Sequence, residues 1–231
     1  MQIIKQSAEI ISITPEDPCA LIASAARTCY QSAHKTKDMP EFDRRMADYD
    51  LIRRLIKAGH HSVLEHASIT ARIITDRATT HELVRHRLAA YSQESTRYCN
   101  YGGKGLMVIW PVMLGPFPDD LDSPDTFLDY HRKAWRDACL AAEEAYMRLI
   151  AHHATVALAR KVLPQSLKAE IVMTANIREW RHVLRLRASK AADPQIRQIA
   201  IMLLAAFTET MPVLFEDLLR EEAIPDGIQH Q

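Results

Sequence analysis

The order of apolar and polar positions divides the chain into short strands and longer helices. Isoleucines mixed with polar residues over 2–13 suit a first strand, closed by Pro15 and Pro18. A short helix is expected over 20–27. Met46, Tyr49, Ile52, Leu55 and Ile56 recur at helical spacing and predict a helix over 42–58. Gly59 stands where its C-terminal cap is needed, and His60 is the first residue beyond. An alternating run over 67–75 predicts a strand. Asp76 or Thr79 can then cap a helix carrying Leu83, Val84 and the triplet Arg85-His86-Arg87, and the spacing from Thr79 to Glu82 fits a capping box.

Residues 99–125 hold four of the six glycines and four of the eleven prolines, which makes this the one long irregular stretch, interrupted by a strand expected over 106–110. Beyond it the pattern predicts a long helix over 123–153, a short one over 154–163 ended by Pro164, and a strand over 167–174. Asn176, with Glu179 three residues later, marks the next helix start. A final helical region covers 194–219 with a break at Pro212. These elements predict a helix-rich α+β fold with a small, mostly antiparallel sheet. No linker or acidic run divides the chain, so residues 1–231 are read as a single domain.

Charge changes this picture only locally. Twenty-nine basic residues against twenty-nine acidic ones argue against a surface built for nucleic acid or anionic membrane, so any anion site must be confined to a few residues. The start of the chain lacks the apolar core of a signal peptide, and no eighteen-residue stretch is free of polar interruption. A soluble cytoplasmic protein is expected. The cysteines, Cys19, Cys29, Cys99 and Cys139, form no C-x-x-C pair, and reduced thiols are the default.

Residues 85–98, RHRLAAYSQESTRY, gather three arginines, a histidine and several hydroxyls with Glu94 as the only acid. Arg85 and Arg87 could simply complement the negative end of a helix. The donors from Tyr91 to Tyr98 are not demanded by any amphipathic pattern, and the arginine fork with serine hydroxyls is suited to a phosphate monoester. Residues 59–66, GHHSVLEH, collect three histidines and a glutamate. They lack H-E-x-x-H and have no cysteine nearby, so loop imidazoles bonded to backbone are preferred over a metal, and none is assigned.

A third group follows Asn176. On a helical wheel Arg178, Arg181, His182 and Arg185 share one face, and Trp180, Val183 and Leu184 share the other. Arg187 falls on the apolar side, where an unpaired guanidinium would cost several kcal/mol (about 3–5), so it is either paired internally or aimed at a ligand. No G-x-G-x-x-G follows a candidate strand, which leaves a Rossmann cofactor site unsupported.

R-H-R, then S after seven residues, then R-Y, together with G-H-x-S-x-x-E-H, Ala25-Ala26-Arg27, Arg160 and the Asn176–Arg187 segment, resembles the flavin-dependent thymidylate synthases in order and approximate spacing across residues 25–200. The resemblance implies that Ser62, Arg85, His86, Arg87, Gln93, Asn176, Ile177, Arg178 and His182 contact FAD. It implies that Glu82, Leu83, Val84, Arg85, Gln93, Glu94, Ser95, Thr96, Arg97, Arg160 and Arg187 hold dUMP. It further implies reductive methylation of dUMP to dTMP, with methylenetetrahydrofolate as one-carbon donor, NADPH as reductant and no cysteine nucleophile, in a homotetramer whose sites are shared between subunits. Gln93 replaces a glutamate common in the family, Ser92 a common asparagine, and His182 an asparagine of some members; each keeps a hydrogen-bonding group. Arg187 is assigned the catalytic role of stabilising negative charge on the uracil ring, and Cys99 is read as a small filler.

Two other classes stay open on the residues alone. A nucleic-acid module would use 178–187 and the Tyr/Arg mixture at 91–101, with binding that weakens steeply in salt and no bound chromophore. A metal-dependent hydrolase would use His60, His61, Glu65 and His66 and be inactivated by chelators.

Overall fold

The computed structural model describes residues 1–221. Its strands are β1 (Gln2–Ile4), β2 (Ser7–Thr14), β3 (Ser68–Asp76), β4 (Ala89–Gln93), β5 (Met107–Ile109) and β6 (Lys168–Asn176). The principal sheet has the order β2-β3-β6-β4, and β1 pairs separately with β5 in parallel. Ile177 N donates to Ala67 O at one end of the β3/β6 pair, and Arg77 N donates to Leu167 O at the other. Numbers that rise on one strand fall on the other, so the pair is antiparallel. Cross-strand contacts of Gln6 with Thr75 and of Glu9 with Arg72 show that β2 and β3 are antiparallel as well. Helix-rich α+β architecture with a small antiparallel sheet is therefore what the sequence forms.

The first strand expected over 2–13 is two. The chain changes sheets at Lys5 and Gln6, and the buried Gln6 side chain accepts the Thr75 hydroxyl at 2.9 Å. Along β6, Ala169, Ile171, Met173 and Ala175 are buried while the residues between them are half-exposed, the period-two signature of a one-sided core.

The chain forms two compact units. The first comprises Met1–Ser7, Ile73–Arg85 and Tyr91–Val172. It holds α3 (Arg77–Leu83), α4 (Tyr130–Ala151) and α5 (Val156–Ala159). Its core contains Leu106, Ile109, Trp110, Tyr146 and Leu167, with Trp110 packed edge-on to Trp135 at 5.5 Å. Helix α4 starts later than 123 because Asp129 takes the amides of His131 and Arg132, both at 3.0 Å, after a 3-10 turn at Pro124–Phe127. The short helix expected over 154–163 is divided into α5 and a 3-10 turn, Arg160–Val162.

The second unit comprises Ala8–Arg72, His86–Ala90 and the described residues from Met173 on. It holds α1 (Pro18–Cys29), α2 (Glu41–Lys57), α6 (Ile177–Arg187), α7 (Pro194–Thr210) and α8 (Pro212–Glu221). Ile22, Ile52, Leu64, Trp180, Phe207 and Phe215 fill its core, and Trp180 Nε1 donates to Ile69 O at 2.9 Å. No helix among the described residues is long and apolar enough to cross a membrane.

Helix α3 corrects two expectations. Asp76 alone caps it, accepting from Thr79 N at 2.7 Å, so Thr79 and Glu82 do not form a capping box. The helix also stops at Leu83, because the Tyr91 hydroxyl takes the Leu83 carbonyl at 2.7 Å. Arg85-His86-Arg87 consequently lies in the connection from α3 to β4 and not on a helix.

Candidate active site

In the first unit the end of β4 and the turn after it collect Gln93, Glu94, Ser95, Thr96 and Arg97. Gln93 Nε2 donates to Thr80 Oγ1 at 2.9 Å, and the Thr80 hydroxyl donates in turn to Arg77 O at 2.9 Å. This chain of donors orients the Gln93 amide against α3, which also carries Glu82 and the buried Leu83, followed by Val84 and Arg85. Glu94 turns toward the protein: Tyr101 donates to Oε1 at 3.1 Å and Lys168 lies 2.7 Å from Oε2. Burial, and then the Glu94 charge, push the Tyr101 phenol well above its ordinary range, so it remains a donor. Thr96 is buried and accepts from Arg160 Nη1 at 3.4 Å, which brings Arg160 to the turn across 64 residues of sequence. Ser95 Oγ accepts from Arg97 N at 3.3 Å. The hydroxyls and the Arg97 guanidinium of the turn, the Gln93 amide just before it and Arg160 reaching it from the 3-10 turn Arg160–Val162 make a donor set suited to a phosphate monoester.

In the second unit Gly59 ends α2 at φ +75° with open space where a Cβ would stand, and His60 N returns to Leu55 O at 2.9 Å. The exposed Ser62 follows in a 3-10 turn, His61–His66. His61 Nε2 donates to Ile56 O at 3.3 Å, and Glu65 lies 2.5 Å from Arg178 Nη1. No cluster of three His, Cys, Asp or Glu side chains is placed to hold a metal among the described residues.

Helix α6 starts at Asn176, whose side chain accepts from Glu179 N at 2.8 Å, while Ile177 N serves Ala67 O at 2.9 Å. Two of the first three amides are therefore already used, and an anion here must rely on side chains more than on the helix start. The basic face expected on α6 is also divided. Arg178, His182 and Arg185 are exposed, but Arg181 is only 2 % exposed and is paired with Asp217. Together with His61, Leu64 and Leu88, the exposed three border a groove of about 640 Å³, within the usual range for small ligands. The Arg178–Glu65 pair is half-exposed on both sides. Such pairs contribute about 0–1 kcal/mol, so an anion could take Arg178 from Glu65 at little cost. This donor set suits an anionic ligand.

His86 joins the triplet to α6. Its ring meets His182 edge-on at 5.9 Å, its Nδ1 lies 3.9 Å from Glu179, and its Nε2 is 3.1 Å from Arg187 Nε. Burial, then the Arg187 and His182 charges, push the imidazole down to about 4. It is neutral at pH 7, and since arginine can only donate, Nε2 is the acceptor and Nδ1 carries the proton. Arg187, placed by sequence on the apolar side, is thus half-buried and held by a neutral histidine.

Because the unfolded chain binds this proton near pH 6.5 and the folded chain only near 4, folding stability is lost as the pH falls through that window. Urea midpoints measured from pH 7 to pH 4 should fall more steeply for the native chain than for His86→Gln. Equal slopes would remove His86 from the acid response.

The chain as a whole is matched by known proteins. The model of the family "Thymidylate synthase complementing protein" matches residues 9–213. A flavin-dependent thymidylate synthase of Geobacter sulfurreducens is 34% identical over 212 residues, covering 90% of this chain and 84% of that protein. One from Corynebacterium efficiens is 34% identical over 215 residues, covering 91% and 83%. Among solved structures, Thymidylate Synthase X of Helicobacter pylori with FAD and dUMP has a TM-score of 0.70 at 25% identity, covering 93% of this chain and 99% of that one. A UMP/dUMP methylase of Streptomyces cacaoi shares the fold at a TM-score of 0.75 and 24% identity, covering 95% and 97%. With the sequence match spanning nearly its whole length and the fold agreeing, the chain belongs to the flavin-dependent thymidylate synthase family.

Proposed function

We propose that this protein forms dTMP by reductive methylation of dUMP, taking the one-carbon unit from methylenetetrahydrofolate and reducing equivalents from NADPH through FAD. The observation that carries the reading is the seating of His86 against His182 and Arg187, which ties the R-H-R triplet to α6 across about a hundred residues. The H. pylori relative, solved with FAD and dUMP, supports the choice of ligands.

When bound, the flavin would supply the hydride-transfer chemistry that links NADPH to the methyl group. The chain's own residues do the rest. Ser62, Asn176, Ile177, Arg178 and His182 hold FAD with Arg85, His86, Arg87 and Gln93; since the Ile177 amide is engaged and its side chain buried, Ile177 shapes the site through the start of α6. Glu82, Leu83, Val84 and Arg85 with Gln93–Arg97 and Arg160 hold dUMP. Leu83 and Glu94 act through backbone and turn position, their side chains being turned into the first unit. Arg187 stabilises negative charge on the uracil ring, while neutral His86 fixes its Nε without adding a repelling charge. No cysteine nucleophile is used. Residues 1–231 act as one thymidylate synthase domain, in a cytoplasmic homotetramer that shares sites between subunits and binds neither nucleic acid nor membrane.

A yellow preparation that oxidises NADPH only with dUMP and folate present, and releases deuterium from C5-labelled dUMP, would establish the reaction. A colourless protein that binds neither FAD nor dUMP would end the proposal. Arg160→Ala should weaken dUMP about tenfold, the loss of one charge-assisted contact, with flavin content unchanged; equal dUMP affinity in a titration would contradict its phosphate role. Cys99→Ser should retain turnover within a few-fold, and its abolition would revive a covalent thiol route.

A further inference from the structure

Thr80 has no part in the roles above, yet it stands between α3 and Gln93, the residue that leads into the nucleotide turn. Its side chain is fully buried, and its hydroxyl oxygen lies 2.9 Å from Arg77 O and 2.9 Å from Gln93 Nε2. A hydroxyl has a single proton. Because a backbone carbonyl can only accept, that proton goes to Arg77 O, and Thr80 Oγ1 meets Gln93 as an acceptor. The Gln93 amide must then give its nitrogen to Thr80, which leaves Oε1 as the end that α3 does not hold.

A tie between α3 and β4 would be the simplest use of this bond, but that tie exists already. Tyr91, on β4, donates its hydroxyl to Leu83 O at 2.7 Å, and Glu94 N fastens the end of β4 to Glu170 O on β6 at 2.8 Å. With the main chain held on either side of Gln93, what Thr80 adds is the direction of one amide. The neighbours give that direction a consequence. Ser95, Arg97 and Arg160 supply donors suited to a phosphate, and Glu94, the acid of the turn, has its two oxygens engaged by Tyr101 and Lys168. Gln93 Oε1 has no donor among the described residues. A nucleotide also carries donors of its own, and an acceptor built to meet one of them discriminates strongly against a ligand that lacks it.

We propose that Thr80 is a positioning residue that turns the Gln93 amide oxygen toward the nucleotide, where it accepts from a ligand N–H or O–H. The proposal rests on the thymidylate synthase reading, whose substrate dUMP offers two such donors, the uracil N3–H and the sugar 3′-hydroxyl. Thr80 touches no ligand itself and acts through Gln93.

The test uses the full-length, FAD-loaded protein and calorimetric titration with dUMP. Thr80→Val, close in shape and without the hydroxyl, should weaken dUMP about three- to tenfold, the cost of ordering one loose side chain on binding, with flavin content unchanged. Thr80→Ser should restore native affinity. In a Gln93→Ala background Thr80→Val should cost nothing further, whereas an equal loss in both backgrounds would show that Thr80 acts through the fold and would overturn the proposal. Native dUMP affinity in Thr80→Val would overturn it too. Should Thr80→Val not fold, Thr80→Ala carries the same comparison. N3-methyl-dUMP and 2′,3′-dideoxyuridine 5′-monophosphate each lack one donor, and the penalty of one of them relative to dUMP should largely disappear in Gln93→Ala. That analogue identifies the uracil or the sugar as the donor; penalties unaltered by Gln93→Ala would overturn the acceptor role. If native protein binds dUMP and follows these patterns but makes no dTMP, the reaction assignment fails and the positioning role stands; if dTMP forms and Thr80 and Gln93 show no coupling, the positioning role fails alone.

Discussion

Arg187→Ala is expected to keep FAD and to lower dTMP formation about 10²–10³-fold, the loss seen when one preorganised charge-stabilising group is removed. The argument begins with its place as the last residue of α6, half-buried, with Nε 3.1 Å from His86 Nε2. A guanidinium in that setting is positioned through one edge by a neutral acceptor. Arg187→Lys should recover only part of the rate, since an ammonium supplies charge but cannot hold the same planar geometry. Flavin absorbance and dTMP formation, followed on the same samples, separate binding from chemistry. Turnover at the native rate in Arg187→Ala would take this residue out of the reaction. Protonating His86 would convert its acceptor into a second cation beside Arg187, so the rate should also fall as the pH approaches about 4.

Elements specified by local chemistry were legible in the sequence. Gly59 ends α2 at positive φ, Asn176 caps α6, and Pro212 separates α7 from α8, because glycine, asparagine and proline act through their own backbone and nearest neighbours. Helix α3 was legible at its start and not at its end. Its stop depends on a tyrosine eight residues away that reaches back to the Leu83 carbonyl, and no helical pattern encodes that. The division of β1 from β2 was hidden for the same reason: Ile, Lys and Gln are compatible with one strand, and only pairing partners make it two.

The site shows the same limit. The clusters at 85–98 and 176–187 were visible as unusual concentrations of donors. Which donors are engaged within the protein was not. Lys168 and Tyr101, which secure Glu94, left no signal in the sequence, since their meeting depends on β6 lying beside the turn. Arg181 was legible as one of four basic residues on a face, yet it is a structural cation, because Asp217 is brought to it by α8. Neutral His86 was similarly beyond reach, as its state is set by burial and by a charge 101 residues away.

Asp217→Ala is expected to lower stability by about 3 kcal/mol, near the bottom of the range for breaking a buried ion pair. Arg181 is 2% exposed, with Nη1 2.7 Å from Asp217 Oδ1 and a further bond to Leu214 O, so removing the carboxylate leaves a buried guanidinium with a single carbonyl partner. The Asp217 side chain is 33% exposed, and water entering from its side should moderate the loss. Burial raises the Asp217 carboxyl, but the Arg181 hydrogen bond and charge prevail and hold it below the usual carboxylate range. Its contribution is therefore present above the ordinary aspartate pKa and lost as acid protonates it. Arg181→Met in the Asp217→Ala background should restore most of the stability, since no charge then remains to be compensated. Urea unfolding of the single and double variants reads this directly; a loss under about 1 kcal/mol in Asp217→Ala would mean the pair is screened like a surface contact. Function should follow stability here. The pair fastens α8 to the helix that presents Arg178, His182 and Arg185 to the groove, so Asp217→Ala should release flavin on mild warming before the chain unfolds as a whole.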